Sequence, residues 1–134
     1  MFNRTIVVLC AATAIAGFLS ATDEPQEKKV QGVLIDRMCS AKAETRIGPG
    51  PRIDGGIVVA YTHTKQCALM PECQKSGYGV FTYDDQKFLP FDAAGNQKAL
   101  AYFNQSKQDS DFRVEVTGKI RGDVMQVTSI KALP

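Results

Sequence analysis

The 134-residue sequence has no Cys-x-x-Cys pair, only one histidine (His63), no block of like charge and no apolar run long enough to cross a bilayer. Each absence removes a reading. Without Cys-x-x-Cys the geometry of dithiol-exchange enzymes is missing, and Cys67-x5-Cys73 does not supply it. With one imidazole, a nucleophilic thiol has a single candidate base. A net charge of +2 sets up no long-range field to hold a polyphosphate, which argues against general nucleic-acid binding. The apolar stretch Ile6 to Leu19 is shorter than a spanning helix. Ser76-Gly77-Tyr78-Gly79 is glycine-rich, but no Lys-Ser or Lys-Thr follows it and the strand-to-helix setting of a phosphate loop is missing. It reads as a positive-φ turn into a strand.

What is present begins with an export signal over residues 1–21. Arg4 gives a positive start, Ile6 to Leu19 an apolar centre, and Leu19-Ser20-Ala21 a cleavage site before a polar run. Cleavage there leaves 113 residues, 15 basic against 14 acidic, with Cys39, Cys67 and Cys73 as the only thiols. The expectation is a small exported protein, periplasmic or secreted, with no transmembrane span after the signal is removed. Cys10 follows the bulky Leu9 where a lipidation box wants a small residue, so it reads as part of the signal.

Along the mature chain, residues 22–29 read as a flexible charged arm and residues 30–134 as a single domain. Val30 to Met38 reads as a strand, with Gly32 marking a bulge or a close approach. Residues 40–56, carrying Gly48-Pro49-Gly50-Pro51 and Gly55-Gly56, form a long loop that opens an insert over 40–77. Ile57 to Tyr61 is expected to be a short strand or buried extended segment. A short helix is expected over His63 to Met70, capped by Thr62 or Thr64, with Pro71 either ending it or opening a second turn through Ser76 that stops at Gly77. Gly79 to Tyr83 and Lys87 to Phe91 read as strands, and Asn96 as the cap of a helix reaching Ser106. Phe112, Val114 and Val116 alternate with polar residues, and a hairpin turns at Gly122-Asp123. Arg121-Gly122-Asp123 is therefore read as turn chemistry and not as an adhesion tripeptide.

The fold class is mainly β with helices. Five strands, a helical insert after strand 1 and a helix between strands 3 and 4 give the order of a small OB-like five-stranded barrel. A two-layer α+β sheet is the alternative. Gly32 to Cys39 (GVLIDRMC), His63 to Gly79, Phe88 to Asn96 and Val116 to Ile130 together resemble a group of small exported bacterial proteins of uncharacterised function. In that group a G-x-[IL]-x-D-x-x-C start, a His/Cys segment and a V-T-G…V-x-S-I end surround an OB-like barrel. The resemblance implies fold and compartment and names no activity.

The chemistry-bearing residues are Cys39, His63, Cys67 and Cys73. On one helix His63 and Cys67 would share a face, with Met70 a turn further on and Cys73 brought back by Pro71. Three thiols and one imidazole make a tetrahedral zinc site, and Met38 or Met70 extends the choice to copper(I). The competing reading follows from the oxidising compartment: two of Cys39, Cys67 and Cys73 form a disulfide that staples the insert to the barrel. A third reading makes one cysteine a nucleophile activated by His63, with Asp36, Glu44 or Glu72 orienting the ring. Tyr78, Tyr83 and Phe88 are candidates for a ligand face on the barrel. The sequence thus points to a binding or structural module with a Cys/His-stapled insert more than to an enzyme. Zinc or copper is its candidate cofactor, and its partner is an unidentified small ligand or envelope component.

Overall fold

A computed structural model of the protein describes residues 24–44 and 55–134. The expected signal at 1–21 and the Gly-Pro run at 48–51 lie outside the described residues. The elements run β1 (Glu27–Asp36), α1 (Arg37–Glu44), α2 (Gly55–Tyr61), α3 (Lys65–Ala68), α4 (Pro71–Ser76) and β2 (Tyr78–Thr82). They continue as β3 (Phe88–Pro90), α5 (Ala93–Gln105), β4 (Arg113–Arg121) and β5 (Val124–Ala132).

Alternation of apolar and polar residues builds the sheet, and β1 organises it. Its pairing is divided: Glu27 to Val33 pair with β4, while Gly32 to Asp36 pair with β2. The five strands lie in the order β3-β2-β1-β4-β5, every neighbouring pair antiparallel, in an open sheet. The two edge strands approach each other at one parallel bridge, Phe91 to Met125. Mainly β with helices is therefore the architecture, with a helical insert after β1 and a helix between β3 and β4, as the sequence led us to expect.

The period of two gives β1 a core on each face. Leu34 joins Val80, Val114, Val116, Met125, Ala99, Phe103 and Phe112 in the larger core, which α5 covers. Val33 and Ile35 point the other way and pack with Phe81, Ala43 and Ala60, under α1 and α2. Gly32 is a close approach and no bulge: a Cβ there would collide with the carbonyl oxygen of Phe81. The register shift falls at Thr117/Gly118 instead.

Several local expectations change. The strand begins at Glu27, so the last three residues of the charged arm are paired; they have a neighbour on one side only and stay exposed, where charge costs little. Ile57 to Tyr61 is helical, because Ala60 and its neighbours must cover the Val33/Ile35 face and packing overrides β-branched preference. Residues 40–44 of the expected loop belong to α1 and Gly55-Gly56 open α2; His63 precedes the Thr64 cap of α3, so His63 and Cys67 do not share a helix face. Asp92, not Asn96, caps α5 through Gly95 N–H (2.9 Å). Asn96 instead accepts the Tyr78 N–H through Oδ1 (2.6 Å), tying α5 to β2. The Gly122-Asp123 turn is as expected, with Gly122 at φ +62°.

Candidate metal centre

The three thiols sit on three different short helices, and each occupies the same place, the third residue of the helix and the third after the residue that precedes it. Asp36 precedes Cys39 by three and its Oδ1 accepts the Cys39 N–H (2.9 Å). Thr64 precedes Cys67 by three and its Oγ1 accepts the Cys67 N–H (3.1 Å). Met70 and Pro71 open α4 three residues before Cys73 in the same way, without a side-chain cap. Side-chain oxygens at this spacing satisfy amide groups that a first helical turn leaves without partners. Two short cap-to-cysteine repeats therefore fix two thiols, and a proline start fixes the third.

The helices converge so that Cys39 Sγ lies 3.3 Å from Cys67 Sγ and Cys67 Sγ lies 3.9 Å from Cys73 Sγ. With a carboxylate oxygen of Asp36, the three sulfurs form a group whose ligand atoms all lie within 4.8 Å of one another. A tetrahedron of sulfurs around zinc at about 2.3 Å has edges of about 3.8 Å, whereas a disulfide needs about 2.05 Å. The observed separations bracket the tetrahedral edge, and all three cysteines are free thiols.

His63 stands one step behind the sulfurs. Its ring is buried and its Nε2 lies 2.6 Å from Asp36 Oδ2, both side chains being essentially inaccessible to solvent. Burial pushes the Asp36 carboxyl up, but the bond to His63 and the Cys39 N–H outweigh it and hold the group below its ordinary value. An ionised Asp36 accepts, so Nε2–H donates. His63 Nδ1 has no hydrogen-bond partner among the described residues, and the ring edge meets Phe103 at 6.1 Å between centroids.

The thiols feel the same carboxylate. Burial, the neighbouring Cys67 and Asp36 push the Cys39 thiol well above its ordinary value. Burial, then Asp36 and Cys67, push Cys73 up to about 12. A buried carboxylate beside soft sulfur donors favours a cation, which displaces the thiol protons when it binds. Among the described residues, Cys39, Cys67, His63, Lys42, Thr62 and Thr64 line a cleft of about 280 Å³, while Asp36 and Cys73 are buried.

Sequence reasoning named Cys39, Cys67 and Cys73, which the structure brings together, and His63, which it places on Asp36. Asp36 was considered only as a ring-orienting group for a thiol nucleophile, although its spacing to Cys39 matches that of Thr64 to Cys67. Of the ligand-face residues, Tyr78 is core: its ring packs on Phe103 at 5.2 Å and its hydroxyl donates to the Ala68 carbonyl (2.6 Å). Tyr83 is half-buried against Tyr61, and Phe88 lies beneath the Arg37 guanidinium at 5.3 Å. No protein-family model, curated protein or solved structure matches this chain.

Proposed function

We propose that the protein is an exported binding module on an OB-like barrel whose thiol cluster holds a soft metal ion, zinc or copper(I). The observation that carries this reading is the convergence of three sulfurs from three helices at separations close to the edges of a thiolate tetrahedron, beside a buried carboxylate. Cys39, Cys67 and Cys73 would hold the ion, Asp36 would lie against it, and His63 would keep Asp36 ionised and oriented. The bound ion would supply positive charge to a cluster of anions and lock the insert onto the sheet. Residues 1–21 support export. The parallel approach of Phe91 to Met125, with β1 shared between β2 and β4 and α5 between β3 and β4, supports the OB-like reading. The partner in the envelope would be a small ligand or envelope component.

The second reading keeps one specific observation: Cys39 and Cys67, at 3.3 Å, are the closest thiols and would become the disulfide if no metal were held. A thiol enzyme has less support. Asp36 orients His63, but no thiol hydrogen-bonds to its Nδ1 among the described residues.

Intact mass with alkylation and metal analysis on one sample of exported protein separates these readings. The metal centre predicts about one equivalent of zinc or copper, three alkylatable cysteines once the metal is stripped, and loss of the metal in Cys67→Ala. A metal-free protein with only one alkylatable cysteine before reduction establishes the disulfide instead.

A further inference from the structure

We propose, resting on the thiolate-centre reading above, that the ion is copper(I) and that Met38 and Met70 are the thioethers that pass it between solvent and the three sulfurs. Among the described residues the exposed large hydrophobics are these two methionines, 50% and 47% exposed. Both lie in the segments that carry the cluster. Met38 is the neighbour of Cys39 on α1, and it shares a helix face with Lys42, four residues on, which lines the cleft. Met70 joins α3 to α4, three residues from Cys67 and three from Cys73. Neither side chain belongs to a core cluster, so both thioethers are open to solvent.

The donor set points to the same ion. Both oxygens of Asp36 are already engaged, Oδ1 by the Cys39 N–H and Oδ2 by His63. Each Asp36 oxygen keeps a lone pair and could complete a zinc set, but the three sulfurs by themselves suit a three-coordinate soft ion. Thiolate and thioether are the ligands that select copper(I). Two of the three sulfurs, on Cys39 and Cys67, line the open cleft, as an exchangeable ion requires. The transfer changes no oxidation state. A copper–thioether bond breaks as a copper–thiolate bond forms, and each thiol that becomes a ligand gives its proton to solvent.

The test uses the reduced protein without oxygen, loaded either with copper(I) from its acetonitrile complex or with zinc(II), and follows loss of each metal to a coloured chelator. The expected result is one copper per chain, held more tightly than zinc. The Met38→Leu/Met70→Leu pair should slow copper exchange about tenfold, leave zinc release unchanged and shift copper affinity less than about threefold. Leucine preserves size at exposed positions, so the fold is kept. Copper exchange at the wild-type rate in the double variant overturns the thioether route, and zinc held more tightly than copper(I) overturns the choice of ion. Wild-type protein that retains neither metal removes the thiolate centre itself.

Discussion

The β4–β5 side of the molecule and the α1–α4 insert are held together by different physics. On the first side, two nine-residue strands pair along their length and Val114, Val116, Met125 and Val127 bury against α5. On the second, helices of four to eight residues follow one another, each too short to be stable alone. Apart from the smaller Val33/Ile35/Phe81 core under α1 and α2, what holds them is a set of polar and sulfur contacts: the caps at Asp36 and Thr64, the Asp36–His63 pair, the Tyr78 hydroxyl on Ala68, and the three thiols. A region secured by apolar area tolerates loss of any one polar bond, whereas a region secured by a few directional bonds can be rebuilt around an ion. That difference places the chemistry in the insert.

The largest expected effect is the one that joins the two regions. Phe103 is fully buried, meets Phe112 at 4.9 Å and Tyr78 at 5.2 Å, and also touches the His63 ring. Phe103→Ala should cost about 4 kcal/mol and shift the denaturant midpoint of the whole molecule in one transition. Amide exchange that quickens in α5 and β4 while α3 and α4 keep their protection would show that the ring contact with His63 does not couple the regions.

Next comes the joint of the insert alone. Asp36→Asn keeps an acceptor for the Cys39 N–H but removes the charge that holds His63. Loss of a charge-assisted bond between buried groups should cost about 2 kcal/mol. Protection should fall in α1 and α3 and stay at its wild-type level in the β4–β5 hairpin. Equal loss in both regions would mean that the buried pair supports the sheet as much as the insert, which would erase the contrast.

The same contrast governs what was legible in the sequence. The hairpin was, because alternation from Phe112 and a Gly-Asp turn leave one register that buries one face. So was α4, bounded by Pro71 and by Gly77, which adopts φ +89°. The insert was legible in its reactive residues and not in its partners. Ile57 to Tyr61 carries a strand composition and is a helix, since only its place over Val33 and Ile35 decides it. Asp36 ends a strand, and nothing local says that its two oxygens serve a helix start and an imidazole 27 positions away. Asp92 and Asn96 both suit a cap, and the choice rests on tertiary contacts, Asp92 with Val127 N–H and Asn96 with Tyr78 N–H. Local signals name residues, whereas long-range pairing assigns their roles.

The smallest effect tests whether the repeated cap-to-cysteine spacing matters to the sulfurs. Thr64→Ala removes the oxygen that accepts the Cys67 N–H and should cost about 1 kcal/mol, the usual worth of such a cap. Cys67 is the sulfur that touches both others, so loosening the first turn of α3 should disturb the cluster more than that small cost suggests. The measurement is metal affinity beside unfolding free energy, in Thr64→Ala and in Thr64→Ser, which restores the oxygen without the methyl group. If the cap positions Cys67, alanine weakens metal binding about tenfold for its modest stability loss, and serine recovers both. Should alanine lower stability and leave metal affinity alone, the cap serves only the helix, and the sulfurs find their places from the ion and not from the capped helix starts.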